Sequence, residues 1–119
     1  LSYLLVGIGG TFGSIARYKL GNIVSKKNKS SFPLGTFIIN ITGAILLGIV
    51  SSLNVSNNIY LLLADGFLGA YTTFSTFMYE GFNLFKNKKE LNGFVYILGS
   101  VILGVLGYTI GFFTIRAIL

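Results

Sequence analysis

Four long apolar runs, at residues 3–24, 33–53, 59–85 and 93–117, alternate with three short polar linkers. A helix needs about 20 residues to cross the roughly 30 Å hydrocarbon core of a bilayer, so the pattern predicts four transmembrane helices in one all-α integral membrane domain, residues 1–119. The linkers differ in kind: residues 25–32 (SKKNKSSF) and 86–92 (KNKKELN) are basic, whereas residues 54–58 (NVSNN) carry no charge. Pro33 stands where a helix start suits proline. The third run is irregular. Gly66 and Gly69 come shortly before Thr72, Thr73, Ser75 and Thr76, with Phe74 and Phe77 interleaved and Glu80 closing the stretch. In hydrocarbon an interrupted helix survives only where it is buried in protein or lines a cavity, so the third helix is expected to be broken at a site. The same letters also fit a packing helix whose hydroxyls bond back to their own carbonyls.

Composition strengthens the membrane reading. Hydrophobic residues make up 53% of the chain and charged residues 10%, with a mean hydropathy of +0.79, whereas soluble domains have about 25% charged residues. The apolar character continues to Leu119, so a cleaved signal peptide does not account for it. The chain begins on Leu, so further residues are expected before it. Cys, His and Trp are missing, which removes thiolate and imidazole metal sites, disulfides and Cys or His nucleophiles and argues against an enzyme. The net charge of +6 comes from nine Lys and Arg gathered mostly in two linkers. Such placement serves topology and anionic lipid headgroups and does not point to nucleic acid.

Several intramembrane positions carry candidate chemistry. In the first helix Gly9 and Gly13 form a small-xxx-small pair, widened by Gly10, that lets another helix approach. Lys19 reads as a snorkelling residue; Arg17, a turn deeper, either anchors in the same way or makes a vestibule attractive to anions. In the second, Thr36, Asn40, Gly43 and Leu47 share one face. An Asn in hydrocarbon needs a partner, so Asn40 is either interhelical glue or a donor on a polar path. Asp65, in an apolar context, suits an interhelical hydrogen bond or capping near the break. In the fourth helix Gly107 and Gly111 repeat the small pair; Tyr96 and Ser100 share a face that suits a polar path, with interfacial anchoring the alternative for Tyr96. Phe74 and Phe77, by spacing alone, read as core packing.

Gly66, Gly69, the unbroken Thr72-Thr73-Phe74-Ser75-Thr76-Phe77 and Glu80 resemble the signature of the Fluc/CrcB family of small fluoride channels. Gly9-Gly10-x-x-Gly13-x-x-x-Arg17-Tyr18 and Gly35-Thr36-x-x-x-Asn40-x-x-Gly43 resemble that family's first and second helices. The likeness covers the whole chain and is loosest in the fourth helix; Ala70-Tyr71 departs mildly from the usual small residue and Phe. The resemblance implies a passive fluoride channel of the plasma membrane, built as an antiparallel dimer with two pores. It implies a pore lined by Asn40, Thr73, Phe74, Ser75, Thr76, Phe77, Tyr96 and Ser100, with Arg17 and Glu80 in the vestibule. Phe74 and Phe77 would then present their electropositive ring edges to the anion. It also implies a structural Na+ at the dimer centre, held by backbone carbonyls of Gly69 and Thr72 from both subunits. The partners expected are fluoride, lipid and a second subunit.

Charge refines the last point. Lys26, Lys27, Lys29, Lys86, Lys88 and Lys89 lie on one side, against Arg116 near the other. The bias predicts both basic linkers in the cytoplasm and both termini outside. A chain that inserts both ways to pair with itself should show little bias, so a heterodimer with a paralogous subunit of opposite orientation is expected. Two rival readings use the same architecture. A proton-coupled drug antiporter needs a membrane-embedded carboxylate, and the first helix offers Arg17 and no acid while Glu80 is expected near a helix end. A non-transporting assembly subunit would explain the glycines alone.

Overall fold

The computed structural model describes residues 1–119 and is helical throughout, with no strand. Its elements are α1 (Ser2–Lys27), α2 (Leu34–Ser52), a third rod interrupted near its middle, and α6 (Glu90–Ile118). The first half of the third rod is a continuous run of α3 (Asn57–Tyr60), a π-helical stretch (Leu61–Leu68) and α4 (Gly69–Tyr71); its second half is α5 (Ser75–Lys86).

The ends of these rods follow local chemistry. α1 runs on to Lys27, past the apolar run, with Lys26 and Lys27 in its last turn, where cations suit the negative end of the helix dipole. Pro33 is the residue before α2 and not its first turn. The uncharged linker is shorter than expected, because the Ser56 Oγ accepts the Ile59 N–H at 3.3 Å and starts α3 at Asn57. The second basic linker shrinks to residues 87–89, since Glu90 opens α6. Here the N–H of Lys88 donates to Phe85 at 3.1 Å and that of Lys89 to Leu84 at 2.8 Å. This is a Schellman ending, and Lys88 occupies its left-handed position at φ 60°.

Glycines let the rods touch backbone to backbone. A Cβ on Gly9 would meet the Leu62 carbonyl oxygen, and one on Gly13 the Phe67 oxygen. One on Gly66 would lie 2.8 Å from the Val6 oxygen and 3.1 Å from the Gly9 Cα. α1 is therefore pressed onto the π-helical stretch through both partners' glycines. α2 and α6 cross in the same way: a Cβ on Gly111 would stand 2.5 Å from the Ile45 oxygen, and one on Gly107 2.8 Å from the Ile45 Cγ1.

What remains buried is small and what is exposed is apolar. The core consists of two clusters, Ile39, Leu68 and Tyr71 near the break, and Phe77, Leu84 and Tyr96 between α5 and α6. On α6 only Gly93, Tyr96, Gly107 and Gly111 are buried, while Leu98, Val101, Ile102, Val105, Ile110 and Phe113 are exposed. An apolar exterior of that extent suits lipid and would be a liability in water. α2 and α6 are long and apolar enough to cross a membrane, with mean hydropathies of 2.0 and 1.9. α1 and the third rod do not qualify singly, because α1 carries Arg17 and Lys19 among its polar residues and the third rod is divided. The longest dimension, 47 Å, is close to the roughly 40–45 Å of a bilayer with its headgroups.

Candidate functional site: a clamped helix break

The break occupies residues 72–74, and its first residue, Thr72, is extended at φ −80° and ψ 158°. Neither Gly66 nor Gly69 supplies it. Both are helical, Gly66 serving the contact with α1. The interruption instead falls on the threonines, and the Thr73 side chain satisfies one N–H that the broken backbone leaves free, while that of Thr72 adds a second bond to a carbonyl the helix already uses. The Thr72 hydroxyl donates back to the Leu68 carbonyl at 2.9 Å, and the Thr73 Oγ1 accepts the Thr76 N–H at 3.3 Å, capping α5.

Asn40, from the facing side of α2, holds the middle of the break with both ends of its amide. Its Nδ2 donates to the Thr73 carbonyl at 2.9 Å and its Oδ1 accepts the Thr73 N–H, also at 2.9 Å. The helical face read from the sequence is thus the one turned toward the break: Thr36, Asn40 and Gly43 all contact the third rod, Gly43 so closely that a Cβ would meet the Thr72 Cγ2. Asn40 spends one N–H on this clamp and keeps another. The carbonyls of Gly69 and Thr72 accept no backbone N–H, because the helix that would have supplied partners stops there.

All the predicted site residues except Ser75 and Tyr96 fall into two neighbouring cavities. One, of about 670 Å³, is lined by Asn40, Gly69, Thr72, Thr73, Phe74, Phe77 and Ser100. The other, of about 290 Å³, joins Arg17 with Thr36, Thr73, Thr76 and Glu80. Thr73 borders both. Ser75 is exposed and lines neither of them. Phe74 stands out into the larger cavity, 75% exposed, whereas Phe77 is buried with its ring centroid 6.2 Å from that of Phe74 and 5.1 Å from that of Tyr96.

Tyr96 is wholly buried, at 0% exposure, so it does not anchor at an interface; the α5–α6 packing encloses it. Phe32 meets its ring edge to face at 5.5 Å. Its hydroxyl and that of Ser100 are buried without a hydrogen-bond partner in the chain. Glu80 also differs from expectation. It lies in the interior of α5, not near its end, and accepts a hydrogen bond from the hydroxyl of Thr36, which is itself buried. Thr36 lines the site beside Glu80 although sequence reasoning left it off; its signals were its place one turn before Asn40 and in the family-like string of the second helix. Asp65 forms no bond within the chain and is exposed at the rim of the larger cavity, so neither capping nor an interhelical bond within the subunit describes it.

The two basic linkers meet at one end of the molecule, where Asn28, Ser30 and Ser31 share a cavity with Asn87 and Lys89. The arrangement is one of neutral donors, aromatic edges and free carbonyls around a discontinuous helix.

Comparison with known proteins agrees with the motif. The family model described as "CrcB-like protein, Camphor Resistance (CrcB)" matches residues 4–112. A protein of Clostridium acetobutylicum named "Fluoride-specific ion channel FluC 2" is 65% identical over 113 residues, covering 95% of this chain and 97% of the relative. One of the same name from Bacillus cereus is 48% identical over 103 residues, 87% of each chain. "Fluoride-specific ion channel FluC" of Phocaeicola vulgatus is 42% identical over 114 residues, 92% of this chain and 94% of that one. With the break, its clamp and these matches running almost end to end, the chain belongs to the Fluc/CrcB family.

Proposed function

We propose that this chain is a subunit of a passive, fluoride-selective channel through which cytoplasmic fluoride leaves the cell. The relatives' names support the ion; the observation that carries the mechanism is the buried Ser100 hydroxyl, which lines the larger cavity across from the Asn40 amide and has no acceptor within the chain. A buried donor without a partner is costly, and a small anion supplies the acceptor. Asn40, with one N–H free, and the hydroxyls of Thr73 and Thr76 extend the set of neutral donors, Ser75 joining them only if the second subunit brings a path to its exposed side, and the edges of Phe74 and Phe77 add positive potential without a fixed charge. Neutral donors bind a hydrated anion strongly enough to replace water and weakly enough to release it, as conduction requires. Arg17 draws anions to the cavity it shares with Glu80, and the Thr36 hydroxyl occupies one carboxylate oxygen, restraining the like charge that would oppose them.

In this reading the chain spans the plasma membrane four times, over about residues 3–24, 33–53, 59–85 and 93–117, and two subunits pair antiparallel. The unspent carbonyls of Gly69 and Thr72 fit a structural Na+, which would bring a fixed positive charge to the junction of the two breaks. The meeting of both basic linkers at one end supports a cytoplasmic location for that end and a partner of opposite orientation. Flow needs no pump: an inside-negative potential drives an anion outward with about 2.3 kcal/mol per 100 mV. Proton-coupled exchange is the competing reading, favoured by the embedded carboxylates of Glu80 and Asp65.

The test is release of fluoride from liposomes holding the purified protein with any subunit that accompanies it. Fluoride leaves under an inside-negative potential without a pH gradient, and chloride stays. Comparable chloride efflux, or release only when a proton gradient is imposed, refutes the reading.

A further inference from the structure

Tyr71 stands between the two unspent carbonyls, after Gly69 and immediately before Thr72, at the end of α4. It is buried, its ring stacked on that of Phe67 with centroids 5.9 Å apart. Its hydroxyl lies 2.9 Å from the Thr42 Oγ1 on α2. A threonine hydroxyl has a single proton, and that of Thr42 goes back to its own helix, where the Ile38 carbonyl is at 2.8 Å and that of Ile39 at 3.1 Å. Tyr71 is therefore the donor, and a relay of two bonds runs from it through Thr42 to the backbone of α2. Neither residue lines either cavity of the break, so neither has a place in the conduction scheme.

α2 thus grips the third rod on both sides of Thr72, at the Tyr71 side chain and, through Asn40, at the Thr73 backbone. The second grip sets a direction. The Thr73 N–H and the Thr72 carbonyl belong to one peptide group, and no peptide bond in the chain is cis. In a planar trans peptide the two point opposite ways, so with its N–H aimed at Asn40 the group turns the Thr72 carbonyl away from α2. The first grip sets a position, since α4 is the last turn before the break and a last turn frays unless something outside it holds it.

We infer that Tyr71 is a positioning residue for the Na+ site, its bond to Thr42 keeping the Gly69 and Thr72 carbonyls in place for the ion without touching it. The inference rests on the reading of those carbonyls as Na+ ligands and deepens it. Ligands already in place spare binding the cost of ordering them. The Phe usual at this position would keep the stack and lose the relay, so the tether tightens a site that the carbonyls themselves create.

The experiment follows loss of radioactive sodium from the purified protein with any subunit that accompanies it, loaded in detergent and transferred to sodium-free, fluoride-free buffer. Tyr71→Phe releases the ion about threefold faster than wild type or more, the low end of what one hydrogen bond contributes. Thr42→Val removes the other end of the relay and gives the same acceleration, and the double variant is no faster than either, because both break one chain of bonds. Thr42→Ser keeps the hydroxyl and retains sodium as wild type does. Thr109→Val, which deletes an exposed hydroxyl bonded back to Val105 on α6, leaves release unchanged. If circular dichroism shows that Tyr71→Phe has lost helix, Thr42→Val carries the comparison. Release at the wild-type rate from both variants, with any loss confined to thermal stability, makes Tyr71 packing alone and overturns the proposal. Accelerations that add in the double variant overturn it equally. A wild-type protein that holds no sodium refutes the Na+ reading and this inference with it, a result distinct from sodium held equally well with and without the Tyr71 hydroxyl.

Discussion

Replacing Asn40 separates the clamp from ordinary packing. Asn40→Ala removes both bonds to Thr73 and leaves that residue's N–H and carbonyl without partners in a partly buried place. Each unsatisfied group costs about 1–3 kcal/mol, while interhelical bonds within membranes average only about 0.6 kcal/mol. The Thr73 groups border two cavities that water can enter, so the lower part of the range applies, about 2 kcal/mol in all. Asn40→Leu keeps nearly the same side-chain size and isolates the hydrogen bonds from cavity formation. Unfolding of each variant in mixed detergent, followed by helicity, gives the stability change, and fluoride flux from liposomes gives the functional one. Both variants lose about 2 kcal/mol and much of the flux, because the break is no longer held and the free amide donor is gone. The reasoning fails if Asn40→Leu stays within about 0.5 kcal/mol of wild type and conducts normally.

Four further substitutions probe other parts of the account. Phe74→Ile and Phe77→Ile each lower fluoride flux while assembly persists, because the ring edge is lost and bulk is largely kept; intact flux in both would make the rings mere packing. Gly66→Ala pushes a methyl group against the Val6 oxygen and the Gly9 Cα, and unfolding should show a loss of about 1–3 kcal/mol from overpacking. Lys88→Gly relieves the left-handed position of the Schellman ending and should raise stability by up to about 1 kcal/mol without altering flux.

Much of this was written in the letters, though not always in the ones that drew attention. The threonines around Phe74 locate the break, because a hydroxyl beside an interrupted backbone can replace the bonds the helix loses. Gly66 and Gly69 resemble helix breakers on paper, yet glycine in a membrane more often buys close approach, and α1 takes that approach. The π-helical stretch Leu61–Leu68 has no local signature, since its widened turns lie against the glycine stripe of another helix. Periodicity placed Thr36 and Asn40 on one face but could not name their partners, which are 44 and 33 residues away. Tyr96 was equally ambiguous: an aromatic hydroxyl suits an interface or an interior, and only the packing of α5 against α6 decides for the interior.

The central claim, passive and selective conduction of fluoride, is tested most directly by current across a planar bilayer holding the protein with any subunit that co-purifies. A tenfold fluoride gradient at equal pH should give a reversal potential of about 59 mV, the value at which 1.36 kcal/mol of concentration free energy balances 2.3 kcal/mol per 100 mV. Replacing fluoride by chloride on one side should leave that side carrying almost no current. A reversal potential that follows chloride or the proton gradient, or currents equal in the two anions, would contradict the account.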